Sequence, residues 1–260
     1  MSGSAAAISV RGLSFAYDAF GPNVLHDVST DIQARAITAV LGPNGSGKTT
    51  LLRLLLGLIA PQSGQVLLDG RGQDTFTRRE LSSLMGLVPQ NEHVAFDLSV
   101  LEYVLLGRAP HLGLLELPSA TDTRIALDAL QRLGLEELRG RPMPSLSGGE
   151  KQLAVVARAL TQEPQIFLLD EPTAHLDLAN GRRILQVMEQ LADADKAVVF
   201  TTHDPNSAAA VADRVVLLSA GRILADDVAE LVLTEENLTA TYGVEVQVTE
   251  YQGRPLVVCR

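Results

Sequence analysis

Gly42-Pro43-Asn44-Gly45-Ser46-Gly47-Lys48-Thr49 has the spacing G-x-x-x-x-G-K-[ST]. Glycines at those places let backbone N–H groups turn inward and surround an anion. A helix starting at the end of the loop adds its positive N-terminus. Lys48 would then reach the outer phosphates of a bound nucleotide, and the Thr49 hydroxyl offers a hard oxygen to Mg²⁺. With glycine near 7% of residues, such a match arises by chance in about one chain in a hundred of this size. The alternative is a plain Gly-rich turn between a strand and a helix.

Asp170 and Glu171 close an apolar run. Asp170 is a candidate Mg²⁺ ligand, directly or through water, and Glu171 a candidate base or orienter for a hydrolytic water. The pair could instead cap a helix after Pro172. Ser147-Gly148-Gly149-Glu150 reads as a capping box, with serine at the N-cap and glutamate three residues on. Each glycine costs a helix up to about 1 kcal/mol relative to alanine. Something else must favour bare backbone there, and an anion packed on the helix tip would do so. Both readings of that segment can hold together.

These groups need elements to hold them. Ile37–Leu41, Ile166–Leu169 and Ala197–Phe200 are continuous apolar runs, as expected of strands buried on both faces of a parallel sheet. Each precedes a helical pattern: Thr49–Leu58, Ala179–Ala192 and Pro205–Ala212. Their polar ends are the Gly-rich loop, Asp170-Glu171 and Thr201-Thr202-His203, and open parallel sheets place ligands at such carboxyl ends. The first forty residues read as short strands through Ile8, Val10, Leu13, Phe15 and Tyr17, with a turn at Gly21-Pro22-Asn23; Gln65–Asp69 is another strand, closed by Gly70. Leu98–Leu106, Thr121–Leu133 and Gly148–Leu160 read as helices, so residues 91–163 are expected to form an inserted helical sub-domain. The tail, 230–260, reads as a helix followed by a hairpin around Gly253, with Val244, Val246 and Val248 against Leu256, Val257 and Val258.

The chain has 260 residues with 21 Lys+Arg against 31 Asp+Glu, a net charge of −10. That acidity argues against wide capture of nucleic-acid backbone, which needs clustered Lys and Arg. A local phosphate site built from backbone N–H groups stays open. Cys259 is the only cysteine, which excludes an internal disulfide framework and multi-cysteine metal clusters and suits a reducing compartment. No apolar run approaches the roughly 18 residues that span a bilayer, and the first ten residues do not read as a signal peptide. His26, His93, His111 and His175 lie at no metal-ligand spacing.

Leu146-Ser147-Gly148-Gly149-Glu150, shortly before Leu168-Leu169-Asp170-Glu171-Pro172-Thr173, resembles the ATP-binding subunits of ABC transporters over essentially the whole chain. The resemblance implies an α/β phosphate-loop NTPase (RecA-like) core with a mixed sheet, an N-terminal antiparallel β sub-domain and the helical insert, all one nucleotide-binding domain. It implies ATP and Mg²⁺, with residues 42–50, Thr50 included, around the phosphates and with Thr49, Gln90 and Asp170 toward the metal. Tyr17 matches the aromatic that stacks on adenine. Gln90 matches a glutamine that meets Mg²⁺ and the attacking water, Asp177 a loop that signals across a dimer, and His203 a histidine that senses the γ-phosphate. Taken singly, these four could be a core aromatic, a loop glutamine, a helix cap and a structural histidine. In the family two such domains face head to tail, and the signature segment 147–150 of one completes the ATP site of the other. The hydrolytic pattern is intact, so a competent ATPase is expected.

The resemblance further implies integral membrane permease subunits as partners, indirectly a solute-binding protein, and a cytoplasmic location on the inner face of the membrane. The groove near Gln90–Arg108, with Leu98, Val100, Leu101, Val104 and Leu105, is the expected docking region. Val100–His111, with Gly107-Arg108 and Pro110, and Gly149–Leu160, with Leu153 after Gln152, look like importers of iron–siderophore, haem and cobalamin. The short tail suits that group. Molybdate or another metal ion, an exporter subunit and a soluble ABC ATPase remain the alternatives.

Overall fold

The computed structural model describes residues 6–18, 21–92, 97–113 and 115–259. In chain order the first elements are β1 (Ala6–Phe15), β2 (Leu25–Gln33), β3 (Ile37–Leu41), α1 (Lys48–Leu55), β4 (Ser63–Leu68) and β5 (Arg71–Gly72). Next come α2 (Arg78–Leu84), β6 (Met85–Val88), α3 (Val100–Leu105), α4 (Ala120–Arg132), α5 (Gly148–Thr161), β7 (Ile166–Leu169) and α6 (Leu178–Asp193). The chain closes with β8 (Ala197–Thr202), α7 (Pro205–Val211), β9 (Arg214–Ser219), β10 (Arg222–Val228), α8 (Ala229–Val232), α9 (Glu235–Tyr242), β11 (Val246–Tyr251) and β12 (Arg254–Cys259). Among the described residues no helix is long and apolar enough to cross a membrane. His93 lies outside the described residues.

Two compact units share the chain: one runs to Phe76 and resumes at Leu191, and the other is Thr77–Gln190. The first unit holds an antiparallel sheet in the order β2-β1-β4-β5. β2 alternates buried and exposed positions along most of its length, as a sheet with one solvated face requires. The same unit holds the mixed-sheet strands β10, β9, β3 and β8: β9, β3 and β8 run parallel, and β10 is antiparallel to β9. All of β3 and β8 is buried, which is why those stretches read as unbroken apolar runs. Leu41 pairs with Thr202, so the ends of β3 and β8 lie side by side. The tail hairpin β11–β12 turns at Gln252-Gly253, and Val244 falls outside it.

The second unit holds the parallel pair β6–β7 and the helices α2 to α5. Arg108, only 8% exposed, ties its helices together. It donates from Nε to Asp122 Oδ1 at 2.8 Å, and from one terminal nitrogen to the Thr161 carbonyl at 3.0 Å and to Glu163 Oε2 at 2.8 Å. Ser119 caps α4 and shares Asp122 in a capping box.

β3 and β7 have the expected ends, and β8 runs two residues further than its apolar run. β6 and β9 go beyond the expectation. β6 follows α2 directly and β9 follows α7 after two residues, so no glycine or proline marks either change.

Candidate functional site

Backbone packing shapes the Gly-rich loop. Gly42 N donates to the Thr202 carbonyl at 3.2 Å, which fixes the loop's start to β8. A Cβ at Gly42 would overlap the Leu218 carbonyl oxygen of β9 and come within 2.8 Å of Ser46 Oγ. Gly47 caps α1 at φ 106°, and a Cβ there would sit 2.6 Å from Leu25 Cδ2. Gly221 N, from the β9–β10 turn, donates to the Ser46 carbonyl at 3.1 Å. Leu218, Gly221 and Leu25 thus support the loop from elements far away in sequence, where no local pattern marks them.

Lys48 is the first residue of α1 and is 5% exposed. Its Nζ donates to the carbonyls of Gly42 at 2.9 Å and Pro43 at 3.1 Å. The ammonium is therefore already drawn over the loop. Asn44 and Gly45 form an exposed tip, Thr49 is half-buried and Thr50 buried. No side chain caps α1, and its first turn carries no acid. That is the electrostatic condition for an anion at a helix start.

Tyr17 is 56% exposed, which is not how a core aromatic sits. Its hydroxyl bonds Thr50 Oγ1 at 3.1 Å and accepts from Arg53 at 3.3 Å, while its ring meets Phe15 edge-on at 5.0 Å. The ring is anchored at its rim with a face left to solvent. His203 is exposed between β8 and Asp204, the residue that caps α7.

In the second unit, Asp170 is 7% exposed, and its N–H donates to the Val88 carbonyl at 2.8 Å, continuing the β6–β7 ladder. Glu171 has φ 45°, the left-handed region, at a cost of roughly 1 kcal/mol or more for a residue with a Cβ. Gln90 Nε2 donates to Glu171 Oε2 at 3.4 Å, so these two expected residues are brought together. Residues 172–177 turn without forming a helix, and α6 starts only at Leu178. The acidic pair therefore caps no helix after Pro172.

Ser147 caps α5 and accepts from Glu150 N at 3.3 Å, while Glu150 Oε2 accepts from Ser147 N at 2.7 Å. The backbone and side-chain hydrogen bonds from Ser147 hold the Glu150 carboxyl below its ordinary pKa. Glu150 is thereby spent on the cap, and Gly148 and Gly149 are left bare. A Cβ at Gly149 would come 2.6 Å from Asn180 Nδ2. That amide donates to Asp177 Oδ2 at 3.2 Å, and Asn180 N donates to Asp177 Oδ1 at 2.7 Å. Asp177 is thus a helix cap, and Asn180, which the sequence did not single out, bonds it and occupies the space that a side chain on Gly149 would need.

Two of the expected residues, one in each unit, carry oxygens of the kind that Mg²⁺ takes. A Mg²⁺ ion keeps several waters and takes only one or two protein oxygens beside those of its phosphates. Thr49 and Asp170 offer hard oxygens of that kind, and no group of three or more His, Cys, Asp and Glu gathers anywhere among the described residues. Ser46 Oγ, buried with no hydrogen-bond partner, is an orphaned polar atom inside the loop.

A model described as ABC transporter matches residues 25–174. The chain belongs to the ABC transporter family. As an ABC cassette it is a transport ATPase and binds ATP. The cassette is 39% identical over 244 residues to the hemin import ATP-binding protein HmuV of Gloeobacter violaceus, covering 90% of this chain and 88% of that one. The molybdate import ATP-binding protein MolC of Haemophilus influenzae is 40% identical over 238 residues, covering 91% and 88%. A metal-chelate type ABC transporter solved in an inward-facing conformation is similar at TM-score 0.85 and 37% identity, covering 98% of both chains.

Proposed function

We propose that this cassette hydrolyses ATP to ADP and phosphate to energise a membrane importer of iron–siderophore, haem or cobalamin. The observation that carries the reading is similarity along nearly the whole chain to a metal-chelate type transporter, together with the hemin-import relative. The molybdate-import relative keeps an oxyanion cargo as the second reading. The partners are integral membrane permease subunits and, through them, a solute-binding protein. The location is cytoplasmic, peripheral on the inner face of the membrane. We read the whole chain as one nucleotide-binding domain, with residues 91–163 as its helical sub-domain.

In this reading Tyr17 stacks on adenine and the backbone from Gly42 to Thr50 cradles the phosphates. Lys48 exchanges the Gly42 and Pro43 carbonyls for phosphate oxygens. Thr49, Asp170 and Gln90 supply the protein oxygens for Mg²⁺, which shields phosphate charge when bound. Glu171 takes the proton of the attacking water, Gln90 orients that water, and His203 hydrogen-bonds the γ-phosphate. Ser147, Gly148 and Gly149 of a second copy, held by Glu150, close the site head to tail, and the loop at Asp177 signals across that pair. Closure of the two copies moves the docked permeases, and loss of the γ-phosphate releases them.

Glu171→Gln keeps the shape of the side chain and removes the base. It should bind ATP, lose at least about 100-fold in turnover, and run as a dimer in size-exclusion chromatography with ATP. A variant that turns over at the parent rate would sink the assignment.

A further inference from the structure

His203 sits in a short link between β8 and α7. Bonds close by fix the residues on either side: Gly42 N donates to the Thr202 carbonyl at 3.2 Å, and Asp204 N donates to Thr202 Oγ1 at 3.1 Å. The carbonyl of His203 itself is held from the tail. The Tyr242 hydroxyl donates to it at 2.9 Å. Tyr242 ends α9, and Gly243, at φ 69°, terminates that helix.

The tail also grips α7. Asn206 makes a paired bond with the Val257 backbone, donating from Nδ2 to the carbonyl at 2.9 Å and accepting from N–H at Oδ1 at 2.8 Å. Arg254 donates to the Ala209 carbonyl at 3.1 Å. Bonds from Tyr242, Arg254 and Val257 therefore converge on residues 203–209. None of them is needed to close the tail hairpin, whose strands are paired by their own ladder.

We propose that the C-terminal tail positions His203, with Tyr242 as the positioning residue. The peptide plane between His203 and Asp204 is held on its N–H side by Thr202 Oγ1 and on its carbonyl side by the Tyr242 hydroxyl, and the two together set the direction in which the His203 side chain leaves the backbone. A catalytic group must be held within about 0.5 Å of its working place, and the bond to the His203 carbonyl is one such restraint. Asn206 and Arg254 keep the tail seated so that Tyr242 arrives in register. The proposal rests on the assignment of His203 to the γ-phosphate.

The test compares Tyr242→Phe, His203→Ala and the double variant as full-length chains, reading kcat and KM for ATP and the thermal midpoint. Tyr242→Phe should lower kcat about tenfold and leave KM in place, with the midpoint moving by no more than the few degrees that one hydrogen bond of ordinary net strength is worth. The double variant should be no slower than His203→Ala. Parent-like turnover in His203→Ala would remove the γ-phosphate assignment and this proposal with it. A slow His203→Ala beside a Tyr242→Phe of parent kcat would overturn the proposal alone. So would a Tyr242→Phe that loses kcat only together with KM and midpoint, or a double variant slower than His203→Ala, since either makes the hydroxyl a packing group.

Discussion

The Leu218 carbonyl leaves no room for a methyl group on residue 42. Gly42→Ala must therefore push the start of the loop away from β9 and turn its N–H groups off the phosphates. ATP binding should weaken by at least about tenfold, read by calorimetry, while the circular dichroism spectrum stays that of the parent. Unchanged affinity would show that the loop yields without cost. The glycines, Lys48 and the Ser147–Glu150 cap were legible because each declares itself within a few residues. Leu218, Gly221 and Asn180 were not, because each acts through a backbone atom or an amide delivered by an element distant in sequence. Tyr17 was ambiguous for a related reason: an aromatic in a strand pattern is silent about which face it presents, and only its exposure decides.

The second unit reuses one local device at several helix starts. Thr77, Ser99, Ser119 and Ser147 each cap a helix and share a carboxylate three residues on. Asp122 does more than its counterparts, since it also receives Arg108. The Ser119 hydroxyl and backbone, and then Arg108, hold its pKa at about 2, below the ordinary 3.8. A depressed carboxylate adds stability that is fully present above its unfolded pKa and is lost as pH falls through the folded one. Asp122→Asn should therefore be less stable than the parent at neutral pH, and the gap should close between about pH 4 and pH 2. Urea unfolding at a series of pH values measures this; a gap independent of pH would show that charge plays no part. Ser119→Ala should cost about 1 kcal/mol through the lost cap. Of these caps only Ser147 with Glu150 was read from the sequence; the others emerge with the helices they start. The strands β6 and β9 were hidden because a helix passes into each almost without a break.

For the molecule in its proposed complex, the cargo has to be assigned apart from the residues proposed for ATP. The resemblance to importers was carried by residues 100–111 and 149–160 and by the short tail, and the comparisons add relatives named for hemin and for molybdate import. Reconstituted with its permease and solute-binding protein, the cassette should hydrolyse ATP faster with ferric siderophore, haem or cobalamin than without. Stimulation by molybdate alone would transfer the assignment to the second reading. Glu171 carries a consequence of another kind. Its left-handed backbone suits glycine, so Glu171→Gly should relieve roughly 1 kcal/mol and raise the melting temperature by about 2 °C while abolishing turnover. Breeding this enzyme for heat tolerance alone would thus reward its inactivation, and any such selection has to be run with hydrolysis as a second gate.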